Sequence, residues 1–413
     1  MRNVRLPKVA IVSPALLTVV AGFVLVGTVL FLLSSAATGT NRAIEAESVT
    51  PAGKASITSA AGASNGSFVT LNAAASSSIY KGVAIGPYVP YSNEPDEHND
   101  GTYELLAESG VHALRIGLPW REMQPDAKGV WDANLIAQAD IFINKVTAMN
   151  IKLLVVVVGS PAWASGGGGF NSPNFKDSDY ADYLEQILRR YPGKIEAIEV
   201  WNEPAYSGFL ETSDPGRYTS MLKAAYTRIK QVDPSVIVVG GSLYGSVYNN
   251  PDFLRGMYQN GAKDYFDVLG QHQYGDTPAR ASFWGSSAPP APYAVLLDSI
   301  KNNIVSIMQE YGDGAKPIWM TETGANTATG GNGVTEQQQA AVMSEVFGYL
   351  KSGYIPTMQR IYWYNWSDGW TQGAEANQSN PEWKYGIVTP RGGPFPVPSD
   401  WYKKPAFEVF KNL

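Results

Sequence analysis

The sequence predicts an α/β fold class, a single (β/α)8 TIM barrel preceded by an N-terminal membrane-spanning segment and a disordered linker. From about residue 80 onward, eight short apolar, β-branched runs alternate with longer amphipathic stretches, and this is the element count of such a barrel. The run IKLLVVVV (151–158) is apolar throughout, as expected of a parallel strand that is buried on both faces. No glycine-rich phosphate-binding turn follows the first run, which disfavours the competing doubly wound open sheet.

The first predicted element is a hydrophobic segment within residues 1–37. Three cations in MRNVRLPK precede an uncharged, mostly apolar stretch over residues 10–33, which is long enough to cross a bilayer. The cations favour a cytoplasmic N-terminus, so an uncleaved signal anchor is predicted, with the rest of the chain at the cell surface. A cleaved signal peptide and secretion stay open as the alternative, because the small residues 34–37 would suit a signal peptidase.

The second predicted element is a linker over residues 38–78. This segment is rich in Ala, Ser, Thr and Gly and poor in aromatic residues, a composition typical of flexible, disordered connections. The barrel domain is predicted to span residues 79–413.

The eight strands and the helices between them follow from the hydrophobic period along the chain. The strand candidates are GVAIGPYV (82–89), HALRIGL (112–118), IKLLVVVV (151–158), IEAIEVW (195–201), VIVVGGS (236–242), FDVLGQH (266–272), PIWMTE (317–322) and RIYWYNW (360–366). Stretches such as YADYLEQILRRY and YTSMLKAAYTRIKQV indicate helices between them. The ending KKPAFEVFKNL predicts a last helix that begins at a proline.

Composition excludes several classes of function. The chain has 413 residues and a formal net charge of −6, without a basic cluster beyond the N-terminus, so no nucleic-acid partner is predicted. It has no cysteine and only three widely separated histidines, which excludes thiol nucleophiles and makes a zinc site improbable. Neither a metal nor another cofactor is predicted. Aromatic residues make up 12% of the chain, a content that suits a cleft stacking on sugar rings.

Polar and aromatic residues gather where the predicted strands end, and barrels of this kind place their active sites at that end. Each residue alone has an ordinary explanation in packing or helix capping, but their joint occurrence indicates one site. The candidates, in strand order, are Arg115 and Trp120, Trp163, Asn202 and Glu203, His272 and Tyr274, Glu322, and Trp363 and Trp366.

Two carboxylates that face each other across a barrel mouth suit the hydrolysis of glycosidic bonds. One must donate a proton to the leaving oxygen, and the other must be ionised to attack or to activate water. Glu322 is expected to stay charged because Arg115, His272 or Tyr274 lies beside it. Glu203 is expected to occupy a drier environment that raises its pKa, and the two groups are expected to titrate as a pair.

The motifs VWNEP, PIWMTETG, HQY and YNWSD, in this order over roughly residues 80–413, resemble clan A of the glycoside hydrolases. The resemblance implies that Glu203 is the acid/base and Glu322 the nucleophile of a retaining, double-displacement mechanism. It implies that Asn202 holds the sugar 2-hydroxyl and that Trp366, or the nearby Trp363, forms the floor of the sugar site. Arg115, His272 and Tyr274 are the matching residues of strands two and six.

Within the clan, LRIGLPWREMQP, the SPAWA turn and PDFLRGMYQNGAKDYFDVLGQHQY look most like family 39, with family 5 a close second. The expected activity is hydrolysis of a β-linked poly- or oligosaccharide, and no protein partner is predicted. A transglycosylase that uses the same residues is one alternative. A catalytically inactive, carbohydrate-binding barrel is another, which the presence of both glutamates disfavours.

Overall fold

A computed structural model describes residues 55–59, 67–71, 80–85, 100–244, 250–274, 293–329, 333–369, 379–390 and 400–413. The chain divides into two compact units, Met1–Ser77 and Ser78–Leu413. The predicted membrane-spanning segment lies outside the described residues. Among the helices that are described, none combines the length and the apolar character needed to cross a membrane.

The segment predicted as a linker contains a small two-stranded β-sheet among its described residues. Strands Ala55–Ser59 and Ser67–Leu71 pair antiparallel, with Ile57 opposite Val69 and Thr58 opposite Phe68. Both strands carry β-branched residues, which favour extended backbone.

The predicted barrel is confirmed. Its eight strands are Lys81–Ile85, Ala113–Gly117, Lys152–Val157, Ala197–Val200, Ile237–Tyr244, Val268–His272, Ile318–Thr323 and Met358–Trp363, numbered here as barrel strands 1 to 8. Each strand is parallel to its neighbours, and strand 8 pairs with strand 1 to close the barrel. All eight overlap the runs predicted from the sequence, because buried parallel strands need apolar residues on both faces.

Helices follow the strands along the chain. Their bounds are Asp100–Ser109, Trp120–Met123, Ala133–Ala148, Ala162–Ser165, Asp177–Arg190, Pro215–Val232, Asn250–Gln259, Tyr293–Ser299, Ser306–Glu310, Glu336–Ser352 and Pro405–Lys411. A π-helical turn, Ile300–Val305, joins two of them. Local sequence explains several starts: Asp132 and Asp214 accept hydrogen bonds from the first turns of their helices, and Thr335 forms a capping box with Gln338.

Two short additions complete the described fold. A 3₁₀ turn covers Pro381–Trp383, and a two-stranded antiparallel sheet joins Val388–Pro390 to Trp401–Lys403. Both lie in the segment between strand 8 and the last helix.

The barrel interior changes from apolar to polar along the strands. A separate core cluster inside the barrel includes Ala113 and Ala197. Side chains alternate between the two faces of a strand. Arg115 and Glu199, each two residues after one of these alanines, therefore lie on the same inner face and nearer the carboxyl ends of their strands. Both are buried. The fold therefore places charged side chains inside the barrel at the end where the loops open.

Candidate active site

An irregular turn at the end of barrel strand 4 positions Glu203 in the site. Trp201 and Glu203 have φ angles of 67° and 43°, in the left-handed region that bulky residues rarely adopt. Consecutive residues of a regular strand point to opposite faces. The turn breaks this alternation, and as a result both Asn202 and Glu203 contact polar groups of the same site. Backbone strain of this kind is typical of functional sites.

Glu322 is the second-last residue of barrel strand 7, and hydrogen bonds hold both of its oxygens. Arg115 donates from Nη1 to Oε1 over 2.6 Å, and the Tyr274 hydroxyl donates to Oε2 over 2.6 Å. The expected contacts of Glu322 with Arg115 and Tyr274 are therefore present. One oxygen faces a fixed cation, and the other faces a neutral hydroxyl.

Glu203 and His272 form a close pair. His272 Nδ1 lies 2.7 Å from Glu203 Oε1 and 3.6 Å from Glu322 Oε2. Burial raises the pKa of Glu203, and His272 opposes this shift. Burial alone would lower the pKa of His272, but the carboxylates of Glu322, Glu199 and Glu203 raise it to about 9. The protonation of each partner therefore affects that of the other.

The two predicted catalytic carboxylates lie close together. One oxygen of Glu203, one of Glu322 and one nitrogen of His272 are all within 4.8 Å of one another. By distance alone these atoms would also suit a metal ion. The Arg115 guanidinium is bonded to Glu322 in the same cluster, and its charge opposes the binding of a second cation. We therefore interpret the cluster as an acid–base site.

Glu199, which the sequence analysis did not single out, organises the floor of the site. It is fully buried, and it accepts hydrogen bonds from Arg115 Nε and from Ser242 Oγ, both over 2.5 Å. His272 Nε2 lies 3.8 Å from Glu199 Oε1. Although burial favours its neutral form, Arg115, with His272 and Ser242, lowers the pKa of Glu199 to about 2. The signal in the sequence was a glutamate in the middle of the predicted buried strand IEAIEVW, three residues after Glu196 near its start.

Arg115 connects two carboxylates and one side-chain amide of the site. Beyond Glu199 and Glu322, it donates from Nη2 to Asn202 Oδ1 over 2.8 Å. Arg115 is 4% exposed, so these bonds form away from bulk water, where charged hydrogen bonds are strong. The side-chain amide of Asn202 is oriented as a consequence, with its oxygen toward Arg115.

Of the four tryptophans predicted to bind the substrate, three are core residues, which does not support that role for them. Trp120 and Trp363 are 0% exposed and Trp366 is 1% exposed. Trp120 packs against Trp163, and Trp366 packs against Phe407 of the last helix. A ring without an accessible face cannot stack on a sugar. Trp163 is half-buried, donates from Nε1 to the Gln124 carbonyl oxygen and stays a candidate.

Tyr364 is a site residue that the sequence analysis missed. It follows barrel strand 8, where Tyr362 belongs to the cluster inside the barrel and Trp363 to the core outside it. Alternation places Tyr364 on the inner side again. Its ring is half-buried and lies 6.3 Å from the ring of Tyr274, whose hydroxyl contacts Glu322. Tyr364 therefore lies beside the cluster that holds Glu322.

An eight-stranded parallel barrel with paired glutamates at the ends of strands 4 and 7 is the architecture of a clan A glycosidase, as predicted. Residues 75–369 match the model of the Cellulase family, glycosyl hydrolase family 5. The chain belongs to this family, which the sequence analysis placed second. No curated protein matches the chain.

Solved structures share the fold at low sequence identity. A family 39 glycoside hydrolase from the gut symbiont Bacteroides cellulosilyticus WH2 is 23% identical with a TM-score of 0.59, over 81% of this chain and 62% of that one. A monomeric β-xylosidase from Caulobacter crescentus CB15 is 18% identical with a TM-score of 0.58, over 80% and 67%. An endo-β-1,4-glucanase from Xanthomonas axonopodis pv. citri that carries a triple mutation is 12% identical with a TM-score of 0.54, over 81% and 98%. The chain thus spans about three fifths of the length of the first of these structures.

Proposed function

We propose that the protein is a retaining glycoside hydrolase that cleaves β-linked poly- or oligosaccharides by double displacement. The observation that carries the proposal is the spacing of Glu203 and Glu322, whose nearest oxygens lie within 4.8 Å. Retaining enzymes have carboxyl groups about 5 to 5.5 Å apart, whereas inverting enzymes need about 6.5 to 9.5 Å to hold a water between them.

Glu322 acts as the nucleophile. Its two oxygens are held by Arg115 and Tyr274, which favours a fixed, charged carboxylate beside the anomeric carbon. Attack forms a covalent glycosyl–enzyme bond while the bond from the anomeric carbon to the leaving oxygen breaks. Tyr274 and Arg115 then stabilise the carboxylate again when it is released.

Glu203 acts first as acid and then as base. Burial raises its pKa, so the carboxyl group holds a proton that it donates to the leaving oxygen. In the second step the same carboxylate removes a proton from the attacking water. His272, 2.7 Å away, positions the group.

The sugar in the site is expected to contact three kinds of side chain. Asn202 directs its oxygen to Arg115, which leaves the amide nitrogen to donate to the sugar 2-hydroxyl. Tyr364, beside Tyr274, is the proposed stacking surface in place of the buried Trp366. Trp163 lies after strand 3 and is proposed to contact a more distant part of the substrate.

The substrate is proposed to be a β-1,4-linked glucan or xylan. The family match to cellulases and the likeness to a β-xylosidase and an endo-β-1,4-glucanase support this class. The hydrophobic residues 10–33 support an enzyme that is anchored in the cytoplasmic membrane and acts outside it, with secretion as the alternative.

A substrate screen tests the activity. Soluble residues 79–413 are incubated with β-glucan, carboxymethyl cellulose, xylan and aryl β-glycosides, with Glu322→Gln as the control. We expect turnover of at least one substrate by the wild-type protein only. Binding without turnover of any substrate would instead favour the inactive carbohydrate-binding barrel, and transfer to an added acceptor sugar in place of water would favour the transglycosylase.

Azide rescue tests the two roles. Glu203→Ala should still cleave substrates with activated leaving groups in its first step, because these need no proton. Added azide should then accelerate turnover and give a β-glycosyl azide. Without azide, Glu322→Ala should turn over neither substrates with activated leaving groups nor natural substrates. A β-glycosyl azide of retained configuration from Glu322→Ala, together with an azide of inverted configuration from Glu203→Ala, would show that the roles are reversed.

A further inference from the structure

The turn after Glu203 carries an unusually exposed aromatic ring. Among the described residues, Tyr206 and Val130 are the two strongly exposed large apolar side chains, at 46% and 51%. The Tyr206 amide donates to the Glu203 carbonyl oxygen over 2.9 Å. Such a four-residue turn brings its end Cα atoms within about 7 Å. The exposed ring therefore belongs to the same turn as the proposed acid.

Tyr206 is the outer member of a row of three aromatic rings on the barrel rim. Its ring centroid lies 6.2 Å from that of Phe209, which lies 6.5 Å from that of Phe170. Phe170 covers Gly159, where an added Cβ would meet the ring at 2.4 Å. Gly159 follows the end of barrel strand 3. Phe170 and Phe209 are half-buried and Tyr206 is exposed, so the row ends at the surface with Tyr206.

The loop that carries Tyr206 is held in place. The ring lies against Gly208, where an added Cβ would be 2.5 Å from it. Asn171 donates from Nδ2 to the Ser207 carbonyl oxygen, and its own carbonyl accepts from the Glu211 amide. A ring that is already ordered binds a partner without a further entropic cost for fixing it.

We propose that Phe170, Phe209 and Tyr206 form the subsite for the leaving-group sugar, with Tyr206 as its stacking surface. This inference rests on the proposed function: the acid must lie beside the oxygen that leaves, so the sugar attached to that oxygen lies on the Glu203 side. Aromatic faces bind the apolar C–H faces of sugar rings. Apart from Glu203, the charged side chain within residues 203–213 is the exposed Glu211, so the subsite suits an uncharged sugar better than a uronic acid.

Two substrates with the same glycon and different leaving groups test the subsite. For a glucanase these are cellotetraose and β-cellobiosyl fluoride, and for a xylanase they are xylotetraose and β-xylobiosyl fluoride. Fluoride leaves as a single atom and does not occupy the subsite. We expect Tyr206→Ala to lower kcat/KM for the tetrasaccharide about 3- to 10-fold, the range of one aromatic contact, and to leave the fluoride within about 2-fold.

Matched variants sharpen the comparison. Tyr206→Phe keeps the ring and should retain most of the tetrasaccharide activity, and Val130→Ala removes the other exposed apolar side chain and should change neither substrate. Equal losses of Tyr206→Ala on both substrates, or no loss on either, would overturn the subsite while leaving the glycosidase intact. If the wild-type protein cleaves neither the tetrasaccharides nor the fluorides, in the glucan and the xylan pair alike, the proposed function is overturned and this inference with it.

Discussion

At the scale of single residues, the Glu203–His272 pair sets the expected pH dependence. Both are buried, and a cationic His272 favours the ionised form of Glu203, against the raising effect of burial on the pKa of Glu203. Replacing His272 by Gln removes that cation while Glu322 remains nearby, so the pKa of Glu203 should rise further. Glu203 then keeps its proton to a higher pH.

The measurement is the pH profile of kcat/KM for His272→Gln and the wild type. We expect the alkaline limb of the variant to move to higher pH, together with a lower maximal rate because the acid is less well positioned. A limb that moves to lower pH would show that His272 does not act on Glu203 as a cation.

Glu199 is expected to be a positioning residue, since it holds Arg115 and lies near His272 without facing the sugar. Glu199→Gln should lower kcat more than it raises KM, because Arg115 then holds Glu322 less firmly. The pKa of Glu199 in the folded protein is about 2, below the unfolded value of about 4.3. Its charge therefore stabilises the fold above about pH 4.3, and this contribution is lost as the pH falls toward about 2.

Unfolding of both proteins by urea at pH 7, 4 and 3 checks this. The wild-type free energy of unfolding should decline over the acid range more steeply than that of Glu199→Gln, which has no carboxylate to protonate at this position. Parallel declines would contradict the assigned ionisation.

Tyr364 and Trp366 should respond differently to truncation. Tyr364→Ala should lower kcat/KM for every substrate, because a half-buried ring beside Tyr274 is expected to contact the sugar. Trp366→Ala should instead remove about 3 to 5 kcal/mol from the free energy of unfolding, the usual cost of truncating a buried aromatic residue. Steady-state kinetics and thermal unfolding of both variants distinguish a loss of activity from a loss of stability. If Trp366→Ala is stable and impaired only in substrate binding, the predicted sugar floor was correct after all.

At the scale of elements, a buried ion pair joins the segment after barrel strand 8 to the last helix. Asp368 accepts hydrogen bonds from the Gly386 amide, Thr389 Oγ1 and Lys404 Nζ, and both charged side chains are at most 2% exposed. Asp368→Asn leaves the Lys404 ammonium buried without its closest counter-charge. Breaking a buried pair in this way costs about 3 to 5 kcal/mol.

Glu108→Gln is the matched control, since Glu108 pairs with Lys403 and Lys411 while about one third exposed. Surface pairs contribute roughly 0 to 1 kcal/mol. Denaturant unfolding should therefore separate the two variants clearly, and similar small losses would show that Asp368 does not anchor the segment.

At the scale of the whole molecule, the location of the protein depends on residues 1–37. The uncharged stretch over residues 10–33 follows three cations, so we expect the mature chain to keep this segment as an anchor. N-terminal sequencing of protein from native membranes provides the measurement. A mature start near Ala37, with activity in the medium, would establish the secreted alternative.

The sequence by itself determined the barrel and the two glutamates at its mouth. Eight apolar runs with helical stretches between them are compatible with few folds, because parallel strands need burial on both faces. In such a barrel the ends of strands 4 and 7 meet at one face. Glu203 and Glu322 could thus be assigned to a common site from their positions alone.

Only the tertiary structure decided which neighbours of those glutamates form the site. The faces of a strand alternate, so a shift of one residue exchanges the buried Trp363 for the site residue Tyr364, and an irregular turn of positive φ brings Asn202 and Glu203 to the same side. In the sequence, Glu199 is one residue of a predicted buried strand. Its ion pair with Arg115, which is 84 residues away along the chain, is apparent only in the tertiary structure. Burial, charge pairing and pKa depend on distances through space, which neither local pattern nor composition contains.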